Sequence, residues 1–277
     1  MPPLDKSLVG DPSAPGRSPD AATPRAEILI IGNEILSGKV VDEHAAFLCR
    51  EFRALGVDVR RIVVLPDDVD AIAEAVRSAW DRADVIVTTG GVGPTHDDVT
   101  LAGVARGLDR PLVRDPVLAD LVRQVYGVSG NPHVNRLADV PQGATLCSAH
   151  GLRVPVVAVD KVFIFPGVPE VFRRKFHAIK ARFRSAPFHL RTIYLRVGEE
   201  PIAGVLYDVA GTFPDLALGS YPAMDRPEYR TKLTLESKDP AYLNAAFERL
   251  IDRLPEGAVV AVDEEPTMSP PGPIHPA

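Results

Sequence analysis

The chain has 277 residues, 45% of them hydrophobic and 25% charged, with a formal net charge of −6. That is enough apolar material for one large domain or two smaller ones, and the acidic balance argues against a nucleic-acid partner, which calls for a basic footprint. Apolar runs such as Ile28–Ile31 are far too short to cross a bilayer. The opening residues lack the apolar core of a secretory signal, so a cytoplasmic protein with no membrane partner is expected.

Residues 1–24 are rich in Pro, Ser, Gly and Ala and read as a disordered leader, and 264–277 as a tail of the same kind. Between them, residues 26–32 form a short buried strand, followed by the polar loop NEILSGKVV. A helix starts near Asp42, with Ala45, Leu48, Cys49, Phe52 and Leu55 on one face. Asp42 suits its cap and Gly56 its end. A second strand covers 57–66. A second helix covers 67–80, apolar at Val69, Ile72, Ala73, Val76 and Trp80. ADVIVTTGG (83–91) is a third strand, and a third helix begins near Thr95 to Asp98. Cys49 and Cys147 lack metal-ligand spacing and are expected to be free thiols.

Further on, residues 154–176 read as two strands joined at Asp160-Lys161, then the turn PGVP and a helix with Pro169 in its first turn. From about Leu190 the order becomes strand, helix, strand, strand, helix. TKLTLES alternates as a half-exposed antiparallel strand does. The fold class that follows is α/β: a three-layer α/β/α sandwich with a mostly parallel sheet over 25–189, then a small α+β subdomain over 190–263. In such sheets ligands bind beyond the carboxyl ends of the strands. The loops NEILSGK, LPDD and TTGGVGPTHDD all fall there, and the turn after KVFIF brings Gly167 to the same rim.

TTGGVGPTHDDVT (88–100) is the densest of these loops. Gly90, Gly91 and Gly93 allow close approach to the backbone, Pro94 stiffens the turn, and a strand-to-helix junction collects N–H groups into an anion site. Asp97 and Asp98 would repel a phosphate unless a cation or proton lay between. With Asp67 and Asp68 they either hold a divalent metal ion by oxygen ligands or simply cap helices, Thr95-x-x-Asp98 resembling a capping box. Glu34 either reaches the pocket or caps a turn. His96, Lys39 and the Arg173-Arg174-Lys175 cluster are weaker candidates, since such side chains are usually solvated.

The same stretch resembles the TTGG-x-GPT-x-DD-x-T motif of the competence/damage-inducible protein family, whose N-terminal domain is shared with molybdopterin-binding proteins. GNEILSGKVVD, LPDD, VPQGA, FPGVPEVF and LGSYP agree in order, so the resemblance runs from about Ala26 to about Pro255. It implies a metal-dependent pyrophosphatase acting on ADP-ribose-like dinucleotides. Its alternative is a module that binds molybdopterin or another pterin phosphate, with or without adenylyl transfer. No C-terminal amidase domain is expected.

The implied catalytic residues are Asp67 and Asp98, with Asp97 and Asp98 as metal ligands. Gly32, Glu34, Thr89, Gly90, Gly91, Gly93, Pro94, Thr95 and Gly167 are expected at the substrate. The implied partners are a nucleotide or pterin phosphate and further copies of the chain, a dimer above all. Three places depart from the family pattern: Asp42-Glu43-His44 replaces Asp-Thr-Asn, Asn135–Ala138 lacks a Gln, and HGLRVP (150–155) replaces a second glycine turn.

Overall fold

The computed structural model describes residues 23–127, 131–149, 151–224 and 226–265. They fall into two compact units, 23–185 and 186–265. The leader expected over 1–24 lies outside the described residues except for Thr23 and Pro24. Pro24 is already part of the fold, its carbonyl accepting from the Asp58 amide at 2.9 Å.

In the first unit the strands are β1 (Arg25–Ile31), β2 (Asp58–Leu65), β3 (Val85–Thr89), β4 (Leu112–Arg114), β5 (Asp139–Pro141), β6 (Thr145–Cys147), β7 (Val156–Val159) and β8 (Val162–Phe165). The helices are α1 (Asn33–Leu36), α2 (His44–Ala54), α3 (Val69–Trp80), α4 (Thr100–Gly107), α5 (Pro116–Tyr126), α6 (Pro132–Asn135) and α7 (Pro169–Ile179). The main sheet runs β2-β1-β3-β8-β7-β6. The first four strands are parallel, while β7 and β6 are antiparallel to their neighbours. The β7–β8 turn falls at Asp160, which takes a left-handed φ of 50°.

Both faces of this sheet are covered. Ala26, Ile28 and Ile30 pack with Leu48 and Phe52 of α2 and Phe172 and Phe176 of α7. Leu29 and Ile31 pack with Ile72 and Val76 of α3 and Val104 of α4. Each fully buried aliphatic or aromatic side chain contributes about 1.5–3 kcal/mol, so the three layers are held mainly by these two cores. The expected α/β/α sandwich is what forms.

Capping fixes where the helices begin. Asp42 accepts from the amides of His44 and Ala45 at 2.9 and 3.0 Å, as its position before α2 suggests. Asp68 caps α3 through the Ala71 amide at 2.8 Å. The helix expected from Thr95–Asp98 starts later, at Thr100, because the intervening residues turn on themselves. Residues 108–153, unassigned from the sequence, add the β4–β5 ribbon, α5, α6 and the strand β6. Leu118, Ala138 and Val140 give that excursion a small core of its own.

The second unit contains β9 (His189–Leu195), α8 (Ala203–Thr212), β10 (Ala217–Pro222), β11 (Thr231–Ser237), α9 (Pro240–Arg253) and β12 (Val259–Glu265). Its antiparallel sheet runs β10-β11-β9-β12. Strand β12 was not expected; it runs to Glu265, two residues into the segment read as a tail, and 266–277 lie outside the described residues. Thr231, Leu233 and Leu235 of β11 are buried, and the residues between them are partly exposed. Leu233 and Leu235 join Ile193, Leu195, Val209 and Leu250 in one core beneath α8 and α9. Among the described residues no helix is long and apolar enough to cross a membrane.

Candidate functional site

The carboxyl ends of the four parallel strands come level, with Ile31 opposite Leu65, Ile30 opposite Thr89 and Thr89 opposite Phe165. The loops that follow therefore share one rim, as the sequence pattern requires. At its centre is the glycine turn. Gly90 has φ 98° and Gly91 φ 58°, and a Cβ on Gly90 would overlap the Ile31 carbonyl oxygen. Gly167 passes so near that its Cβ would lie 3.2 Å from the Gly90 Cα. Thr100, fully buried, locks the turn from behind: its hydroxyl donates to the Gly90 carbonyl at 2.7 Å and its amide to the Gly91 carbonyl at 3.1 Å.

Several expected ligand contacts are used inside the fold instead. The Gly90 amide donates to the Phe165 carbonyl at 3.3 Å, and the Gly32 amide to the Leu65 carbonyl at 3.0 Å. Thr89 is fully buried. Its hydroxyl meets the Pro166 carbonyl at 3.2 Å and Nδ1 of His44 at 2.9 Å. Thr89 and Gly32 thus support the rim rather than presenting a group to a ligand. Gly91, Val92 and Gly93 differ: their three successive amides donate to no acceptor among the described residues. Consecutive free N–H groups in a turn make an anion cradle.

Two carboxylates flank this cradle, and neither caps a helix of its own. Asp67 accepts from the Asn33 amide at 2.7 Å, so it ties the second loop to the first. Its Oδ1 lies 3.5 Å from where a Cβ on Gly91 would be. Asp98 accepts from the Thr95 amide at 2.7 Å and the Thr95 hydroxyl at 2.5 Å, and its Oδ2 would lie 2.5 Å from a Cβ on Gly93. The capping-box geometry is thus half present, closing a turn two residues ahead of α4. Glu34 folds its carboxylate over Gly32 rather than into the turn. Pro94, His96 and Lys39 are exposed.

Asp97 also takes the Thr95 hydroxyl, at 2.6 Å. That bond, with help from the backbone, holds the Asp97 carboxyl below its ordinary range. The one hydroxyl proton is thus shared between Asp97 and Asp98. Among the described residues no group of three or more His, Cys, Asp and Glu side chains is placed to hold a metal ion. Asp97 and Asp98 are brought together at one turn, both within reach of the Thr95 hydroxyl.

The residue the sequence reading passed over is Arg136. A shallow open cleft of about 40 Å³ runs along the turn, lined by Gly91, Val92, Gly93, Asp98, Leu101, Ala102, Leu112, Arg136, Leu137 and Asp139. Arg136 forms no ion pair among the described residues. It supplies the positive charge that the glycine turn lacks, beside an apolar wall of leucines. The basic cluster on α7 lies elsewhere in bonding terms: Arg173 pairs with Glu43 at 2.6 Å, and Lys175 donates to the Pro155 carbonyl at 2.8 Å. Burial lowers the Lys175 ammonium to about 8.

Comparison with known proteins agrees with this geometry. A family model described as a probable molybdopterin-binding domain matches residues 27–185. The chain belongs to the molybdopterin-binding domain family. The resemblance carried by residues 88–100 is thereby borne out. A second model, the middle domain of FAD synthase, matches residues 187–263. This family member is 31% identical over 266 residues to a probable FAD synthase of Caenorhabditis elegans, covering 86% of this chain and 51% of that one. It is 40% identical over 158 residues to a CinA-like protein of Frankia casuarinae, covering 52% and 36%. The chain thus spans about half the length of the first relative and about a third of the second. Among solved structures it is similar to the protein CinA, of unknown function, from Thermoplasma acidophilum, with 31% identity and a TM-score of 0.54 over 58% of this chain and 98% of that one.

Proposed function

We propose that the rim binds a phosphorylated flat heterocycle of pterin or nucleotide type, and that the chemistry served there is adenylyl transfer at that phosphate. The observation that carries the reading is the run of unbonded amides at Gly91, Val92 and Gly93 facing the same cleft as Arg136. Amides and guanidinium hold the phosphate oxygens. Leu101, Leu112 and Leu137 receive the ring face. Asp98, fixed by Thr95, stands against the turn as a proton or hydrogen-bond acceptor for the ligand.

Adenylyl transfer is supported over pyrophosphate hydrolysis by the relatives. They are named for molybdopterin binding and FAD synthesis, and the hydrolytic reading expected from the sequence gains no such support. The test is direct. The purified chain is titrated calorimetrically with AMP, ATP and a pterin monophosphate. It is then incubated with ATP and the phosphate acceptor, with and without divalent cations, and pyrophosphate release is followed. Binding that weakens about tenfold in Arg136→Ala, the scale of one lost charged hydrogen bond, supports the site. AMP released from ADP-ribose, with no pyrophosphate released from ATP, overturns the transfer reading in favour of hydrolysis.

A further inference from the structure

The second unit offers a different kind of surface. Across its antiparallel sheet, Tyr221 of β10 is opposite Lys232 of β11, and Lys232 is opposite Tyr194 of β9. Residues directly opposite in paired strands point to the same face and lie within side-chain reach. Leu233 and Leu235 point to the helix-covered face, so this row points to the other one. Among the described residues of the unit, no helix covers that face.

The row is aromatic, cationic, aromatic. Tyr221 is 54% exposed. Tyr229 from the β10–β11 connection meets Tyr194 edge-on, with ring centroids 4.8 Å apart. The Lys232 side chain forms no hydrogen bond or ion pair among the described residues. Arg230, two residues earlier, lies in the bend ahead of β11, with its amide on the Leu195 carbonyl at 2.7 Å and its carbonyl accepting from Ala223 at 2.8 Å.

We propose that this row is a second ligand site, for a single nucleotide: the base stacks on the exposed Tyr221 ring and the phosphate meets Lys232. Stacking on tyrosine and charge pairing at the backbone phosphate are the usual means of holding such ligands on a sheet face. The occupant is a mononucleotide rather than a strand because the charge reverses along the face. Glu236 lies in phase with Lys232 on β11, and Asp263, opposite Thr192, lies one step away on β12. A polyanion extended along the strands would run onto these carboxylates, whereas one nucleotide needs only the cationic end. This site is independent of the rim reading, since it shares no residue with it.

The experiment uses the full chain carrying Arg136→Ala, so that rim binding is weakened, and measures AMP affinity by titration calorimetry. Adding Lys232→Ala should weaken binding about tenfold, and adding Tyr221→Ala about five- to tenfold. Circular dichroism melts report that each variant is folded. AMP affinity unchanged within twofold in both variants overturns the proposal, whatever the rim does. A ten-residue oligonucleotide that binds through the same residues more than tenfold tighter than AMP overturns the single-nucleotide occupant.

Discussion

The two sheets of the chain bury their strands in opposite ways. In β1, every residue from Ala26 to Ile31 is buried, because helices cover both sides of the parallel sheet. In β11, buried and partly exposed residues alternate, because helices cover one side only. A sheet sealed on both faces leaves a ligand nothing but the strand ends, and there the polar loops gather. A sheet sealed on one face leaves a whole row of side chains in reach. The place of the proposed site in each unit follows from this difference before any particular residue is considered.

The comparison can be broken most sharply at the strand ends. Gly90→Ala combines a left-handed φ with an overlap on the Ile31 carbonyl and should destabilise the first unit by about 4 kcal/mol or more, the range reached only by severe backbone or core defects. A chemical denaturation midpoint near that of the parent chain would contradict the locked turn. Next come Ile28→Ala and Leu29→Ala, neighbours that face opposite cores. Each should cost about 2–5 kcal/mol. If one of them were nearly neutral, that face of the parallel sheet would not be sealed.

A smaller effect distinguishes the units by pH. Burial lowers the pKa of His44, outweighing Asp42, whose charge raises it; Arg173 lowers it further and Glu43 opposes. The folded value is thus below the unfolded one, near 6.5. The unfolded chain takes up the proton first, so stability is complete above about 6.5 and falls as pH drops through that value towards the folded pKa. Melting curves from pH 8 to 5 should show this loss, and His44→Gln should flatten it. The smallest effect is expected at Thr234→Ala, on the uncovered face of β11, within about 0.5 kcal/mol; Leu233→Ala beside it should cost about 2–5 kcal/mol.

Strand and helix positions were legible where the periodicity was undiluted. Residues 26–32, 83–91 and 161–165 read as strands, close to the observed β1, β3 and β8, and Asp42 and Gly56 bracket α2. The stripe on α2 was nearly right, but His44 replaces Ala45 as the buried first residue, since a histidine in sequence gives no sign that Thr89 and Phe172 will surround it. The two ring centroids of His44 and Phe172 lie 4.3 Å apart. Strand β12 escaped because Glu264 and Glu265 open the stretch read as a tail, yet on a sheet edge one face of a strand is free to be polar.

At the site, the glycine pattern announced the turn but not the use of each amide. Whether an N–H faces solvent or a neighbouring carbonyl depends on strands distant in sequence, as Phe165 shows for Gly90. The carboxylates stand out as residues while the sequence leaves capping and ligand contact both open for them, because a one-residue difference decides which aspartate of Asp67-Asp68 meets the helix. Arg136 was invisible for the opposite reason: it stands in a segment without periodic pattern, and only the fold brings it to Asp98.

Thr100 has one more consequence. Its amide and hydroxyl hold the Gly90 and Gly91 carbonyls at the start of a helix, behind a loop that would otherwise be judged pliable from its composition. The Thr100 amide should therefore exchange its hydrogen as slowly as those of the neighbouring strands, with little further protection when a ligand arrives. Such a loop does not close over its guest. Its shape is set during folding, and ligands are selected by how well they already match it.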